Sequence, residues 1–278
     1  MLYTLYIGPG CIGLQNERVY RLITNMPMPM TSVPLEALAD RVQSYEAAAT
    51  VLVRITALGC YWGGEQHQKI WSDSLERLAN FQPESGNSVL LHLRRYPALL
   101  QLYAGGLAAL AKGNYQNLRQ LFLEAQVRND QNNEESVIRQ LYPVGVLDNN
   151  IAQNTLVVDG QKQHTPVSNR VHSVLREPLR ELIARDDSYD TLFDRLEYLL
   201  ALKYLDLERD TAMPWAPIGR FSWRDRSRKI FTRLLEEAND SGSAWPPVAV
   251  RLFDSPTRFT AVHTMFREKI LPHVRGFF

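Results

Sequence analysis

The densest chemistry-bearing stretch of the chain is basic. Arg220, Arg224, Arg226, Arg228, Lys229 and Arg233 lie within fourteen positions, with Phe221 and Trp223 interleaved. Arg226, Lys229 and Arg233 are three and four residues apart, so one helix face would carry all three. Cations in such a row hold phosphates, and rings beside them stack on bases. The segment before it is acidic, with Asp186, Asp187, Asp190, Asp194, Asp206, Glu208 and Asp210. Pairing of these carboxylates with the cluster inside the chain would use it up. The residues assigned to binding are Arg220, Trp223, Arg224, Arg226, Lys229 and Arg233. Another protein is the first expected partner and nucleic acid the second.

Gly8, Gly10 and Gly13 spell G-x-G-x-x-G after an aromatic, β-branched run at residues 2–7. A dinucleotide-binding turn needs strand, glycines, then a helix whose N-terminus holds the pyrophosphate. Here residues 14–23 are short and lead into Pro27 and Pro29 instead of a second strand. A glycine-rich turn is the simpler reading, and no cofactor is expected. His164 and His172 lie eight apart, and Glu65 and His67 share a loop, so neither set has zinc-ligand spacing and no metal is expected. There is no G-x-S-x-G elbow, P-loop or cysteine-nucleophile signature, and no catalytic residue is assigned. Trp215, Trp223 and Trp245 stand near prolines or arginines. Rings in such loops anchor interfaces or fill satellite cores, and the sequence leaves both readings open.

The elements that must position these residues are helical. Of 278 residues, 45% are apolar and 22% charged, as in soluble globular chains. Lys and Arg number 31 against 30 Asp and Glu, a net charge of +1, so no global field draws in nucleic acid or membrane. The N-terminus lacks the basic region of a signal peptide. Residues 47–62 are interrupted by Arg54, and residues 97–111 contain Gln101 and Gly105-Gly106. Both fall short of the roughly 20 apolar residues of a membrane span and read as buried helices. The only cysteines are Cys11 and Cys60. They suit a reducing cytosol as small core hydrophobes, with a single disulfide left open.

Apolar spacing of three and four predicts an all-α, multi-helical fold of antiparallel hairpins joined by irregular proline-rich loops. One helix is expected from an N-cap at Ser32 to Gly63-Gly64, and another over residues 66–81. Residues 88–126 read as a hairpin broken at Lys112-Gly113-Asn114. Residues 127–168 are rich in Asn, Gln and Asp. Within them Thr155 to Gly160 suits either a small β-hairpin or a polar excursion. Helices then resume, capped by Ser168 and Ser188. An aromatic loop is expected over residues 213–223, a helix through Ile230 and Ala238, and a last helix from Ser255-Pro256 to near Pro272. The expected organisation is a helical half at 1–127, a polar linker at 128–167 and a second helical half at 168–278.

The string GGLAALAKGNYQNLRQLFLEA, within the hairpin at 97–126, is similar to a tetratricopeptide repeat. Gly106 matches the small residue of the first helix, Gly113 and Tyr115 the turn, and Phe122 and Ala125 the second helix. Leu118 replaces a small residue, and no proline closes the unit. More broadly, LRRYPALLQLYAGGLAALAKGNY, HTPVSNRVHSVLREPLRELI and WAPIGRFSWR resemble the helical C-terminal regions of multidomain bacterial proteins associated with antiphage defence. That resemblance implies a sensing or scaffolding part. The leading expectation is a cytoplasmic, non-catalytic interaction module that docks another protein or a sister domain along the grooves between adjacent hairpins. The alternatives are a nucleic-acid binder using residues 220–233 and a nucleotide binder using the Gly8–Gly13 turn.

Overall fold

A computed structural model describes residues 9–29, 31–80, 85–129, 131, 133–156, 161–208, 213–224 and 229–275. Its N-terminal helices are α1 (Pro9–Asn25), α2 (Leu35–Trp62), α3 (Gln68–Ala79), α4 (Ser88–Leu93), α5 (Tyr96–Lys112) and α6 (Tyr115–Arg119), which continues as a π-turn over Gln120–Glu124. After a two-stranded ribbon come α7 (Pro143–Val146), α8 (Asn149–Thr155), α9 (Pro166–Arg176), α10 (Asp186–Leu207), α11 (Phe221–Arg224) and α12 (Lys229–Ser241). The chain closes with α13 (Pro246–Ala249), α14 (Pro256–Met265), a second π-turn at Phe266–Ile270, and α15 (Leu271–Arg275). The ribbon pairs β1 (Gln126–Arg128) with antiparallel β2 (Glu134–Ser136), Val127 opposite Glu135. The fold is all-α and multi-helical.

Helix α5 is the hub, because it is apolar on every side. Each residue from Tyr96 to Leu110 is buried. The long helix α2 lies against it through the stripe Tyr45, Ala49, Leu52, Thr56 and Cys60. On another side α10 crosses at Gly106, where an added Cβ would stand 2.6 Å from Leu196 Cδ1. The hairpin turn is built as expected. Gly113 is left-handed at φ 76°, and the Asn114 side chain accepts from the Asn117 N–H to start α6. One hydrophobic core runs from Ile12 to Val274. It is tied across the expected linker by the Arg170 guanidinium, which forks onto Glu46 at 2.8 and 2.6 Å.

Several local expectations are corrected. Ser32 does not cap α2; Pro34 stands at that position. Ser168 lies inside α9 and Ser188 inside the first turn of α10, whose start is set earlier by Asp186 and Asp187. The ribbon forms at residues 126–136. Residues 149–155 are helical because the Asp148 carboxylate caps them, accepting from the Asn150 and Ile151 N–H groups. Residues 157–160 lie outside the described residues, as does the strand-like run at 2–7. Cys60 is buried as expected, but Cys11 is exposed, and both are free thiols.

Close approach of α2 and α3 depends on Gly59, whose missing side chain admits the indole of buried Trp71. Gly59→Ala drives a methyl into that ring. The expected loss is about 2–3 kcal/mol, as for an overpacked core. Urea denaturation reads it, and an unchanged midpoint would refute the contact.

Candidate functional site

Four elements bring polar groups to one buried junction. Helix α9 carries Ser168 and His172 one turn apart, and α10 carries Asp190, Asp194 and Glu197 at four- and three-residue spacing. Helix α11 and the segment leading into it add Gly219, Arg220, Trp223 and Arg224, and α5 adds Tyr103.

Glu197, only 2% exposed, is the centre. The Ser168 hydroxyl donates to its Oε1 at 2.6 Å and the Tyr103 hydroxyl to the same oxygen at 3.3 Å. The Arg220 backbone N–H donates to Ser168 Oγ at 3.2 Å. Gly219 lies directly against the carboxylate, leaving no room for a Cβ. Burial pushes the Glu197 carboxyl up to about 7, although the Ser168 hydrogen bond pulls the other way.

A second node adjoins it. His172 Nε2 is 2.6 Å from Asp190 Oδ1, so Nε2 carries the hydrogen and donates it. Arg224 donates to Asp190 Oδ2 at 2.7 Å, and Arg220 NH2 stands 3.7 Å from Oδ1. Burial raises the Asp190 carboxyl, but the hydrogen bonds from Arg224 and His172 outweigh it and hold it below the usual range. Burial, then the Arg220 charge, push His172 down to about 4. The Arg220 guanidinium lies 5.7 Å from the Phe193 ring centroid.

Ser168, His172 and Asp190 are the residue types of a nucleophilic triad, but their bonding is different. The Ser168 proton points to Glu197, and no hydrogen bond joins Ser168 to His172, although His172 donates to Asp190 as a triad imidazole would. This arrangement can hold or release one proton at Glu197 near neutral pH.

Of the residues expected to bind a partner, Arg220, Trp223 and Arg224 join this junction. Arg220 is buried, and Trp223 is spent on Thr165, donating to its hydroxyl at 2.8 Å. Arg233 is on α12, paired to Glu237 at 3.4 Å, and Lys229 opens the same helix. Arg226 lies outside the described residues. The acidic run thus engages the basic cluster from within, chiefly through Asp190. Trp245 is core and Trp215 is exposed.

The glycine motif is corrected. Gly10 and Gly13 lie within the first turns of α1 instead of in a turn before a helix, and Gly8 lies outside the described residues. Pro9, with its φ fixed near the helical value, suits the first helical position. Among the described residues no group of three or more His, Cys, Asp or Glu is placed to hold a metal ion. No helix of the described residues is long and apolar enough to cross a membrane.

Sequence reasoning missed Glu197, Ser168 as its donor, and Tyr103. One signal pointed there: a carboxylate set between Leu196 and Tyr198 in an apolar stripe. Compared with protein-family models, curated proteins and solved structures, the chain matches none.

Proposed function

We propose that the chain is a non-catalytic helical recognition module, the sensing or scaffolding part of a bacterial defence assembly, which docks another protein through a surface around Trp215. The observation that carries this reading is a cluster of three rings at the surface. Trp215 lies 5.3 Å from Tyr142 and 5.2 Å from Tyr204 between centroids, and those two rings are 5.6 Å apart. Trp215 is 43% exposed, and Met213 beside it is 86% exposed. Large rings pre-packed against each other lose little freedom on binding, and Trp and Tyr dominate interface energetics. The Arg139–Glu208 ion pair adjoins the Tyr204 end and supplies a charged rim.

The bonding at the α9–α10–α11 junction weakens the nucleic-acid alternative, which needs Arg220 and Arg224 facing phosphates.

A photo-crosslinking residue placed at Met213 in the native host tests the reading. The expected result is a protein adduct of discrete mass that Trp215→Ala abolishes and that the same probe at exposed Val51 does not give. Equal labelling at both positions would overturn it. So would binding to DNA or RNA that falls steeply with salt while position 213 gives no adduct.

A further inference from the structure

The segment that carries Trp215 is seated on the Glu197 carboxyl. From Met213 to Gly219 it has no helix or strand of its own. Its far end is fastened by the Arg220 N–H, which donates to Ser168 Oγ at 3.2 Å, by the Trp223 indole on Thr165 at 2.8 Å, and by Arg224 on Asp190 at 2.7 Å. Gly219 completes the seat. A Cβ added there would stand 2.2 Å from Glu197 Oε2, so the glycine backbone covers that oxygen.

The two carboxyl oxygens are held differently. Oε1 accepts from Ser168 and Tyr103. Oε2 is buried and has no hydrogen-bond partner among the described residues. The oxygen that accepts two bonds is the carbonyl one, which leaves the proton on Oε2 under Gly219. Loss of that proton puts negative charge on an oxygen that no donor reaches. A buried charge in that position is far costlier than an unpaired hydroxyl.

The neighbouring groups do not remove this cost. On α10, Asp194 acts with burial in favour of the proton, and Tyr189 stays neutral. On α5 and α9, Tyr103 keeps its proton and His172, lowered to about 4, is uncharged at neutral pH. Arg220 opposes them, but its guanidinium reaches away, to 3.7 Å from Asp190 Oδ1, and Arg224 is bonded to that same carboxylate. Asp190 lies two helical turns from Glu197, about 10 Å along α10. The remaining relief is for the covering backbone to move off and admit water. Only Ala216, Pro217 and Ile218 separate Gly219 from Trp215, and the proline ring fixes its own φ, so movement at one end is carried to the other.

We propose that Glu197 is a proton-held latch on residues 213–224: protonated, it seats Gly219 and Arg220 in the arrangement described; ionised, it unseats them and loosens the packing of Trp215 on Tyr142 and Tyr204. Burial raises this carboxyl to about 7, which sets the latch to work across neutral pH. The consequence for docking rests on the reading of Trp215 given above; the latch itself does not.

The test is nuclear magnetic resonance of the labelled full chain from about pH 5.5 to 8.5. The Glu197 carboxyl carbon, assigned by its absence in Glu197→Gln, is expected to titrate with a midpoint near 7. The Arg220 amide and the Trp215 indole are expected to shift with that same midpoint and to stay still in Glu197→Gln. In host lysate, crosslinking from position 213 is expected to fall about tenfold from pH 6 to pH 8, following the protonated fraction, and to stay level in Glu197→Gln. The latch is overturned by a carboxyl carbon that does not titrate in that range, by Arg220 and Trp215 signals that do not follow it, or by the same shifts in Glu197→Gln. Its effect on docking is overturned by an adduct of equal yield at both pH values. Signals that titrate together with no adduct at either pH would uphold the latch and remove the docking reading.

Discussion

Asp206→Ala is expected to destabilise the chain by about 3–5 kcal/mol, the loss typical of breaking one side of a buried ion pair. Asp206 is fully buried near the end of α10. The Lys203 ammonium, whose side chain is 5% exposed, donates to Asp206 Oδ2 at 2.8 Å, and Arg258 of α14 donates to Oδ1 at 2.5 Å. Removing the carboxylate leaves Lys203 charged and desolvated against Phe253. The cause is the stranded cation, so Lys203→Met in the same chain is expected to restore part of the loss. Urea unfolding of the two single variants and the double variant measures this. A double variant no better than Asp206→Ala alone would place the cost elsewhere.

Glu197→Gln is expected to gain on the natural chain by about 3 kcal/mol between pH 4.5 and pH 8. The folded carboxyl is raised to about 7 from an ordinary 4.5. Within that window the folded chain keeps a proton that the unfolded chain releases. Stability therefore falls as pH rises from 4.5 to 7 and is level above, by roughly 1.4 kcal/mol per unit. Glutamine has the shape of the protonated acid and no titration, so the two proteins are expected to match at pH 4.5 and diverge up to pH 7. His172 and His263, lowered to about 4, act in the opposite sense and cost stability as pH falls below 6.5. They are present in both proteins and cancel in the difference. Midpoints of urea unfolding across that range give the result, and a difference that does not change with pH would refute it.

The parts of the fold that sequence could read are those with local causes. The α5–α6 hairpin follows from a leucine-rich run stopped by Gly113 and restarted by Asn114. The start of α14 follows from Ser255, whose hydroxyl accepts from the Arg258 N–H at 3.1 Å. What was misread has distant causes. Ser168 looks like a cap, but its hydroxyl is claimed by Glu197, 29 residues on. The ribbon strands have poor strand propensity. Their backbone is held by α3: the Glu76 carboxylate accepts from the Gln126 N–H and the Asn80 side chain accepts from the Arg128 N–H. For the site, the basic cluster and Asp190 could both be named from the sequence. Tyr103 and Glu197 meet across 94 residues, a separation no local pattern encodes.

The π-turn at Phe266–Ile270 also acts on everything after it. One surplus residue in a helix advances the rest of the rod by about 100° of phase. Leu271 owes its inward bearing to that offset. Excising a single residue from the turn would restore regular winding and leave α15 facing as it does, whereas winding the full stretch regularly would rotate Leu271 by more than a quarter revolution toward water. The winding of this short stretch, as much as its composition, sets which side of the terminal helix is the inner one.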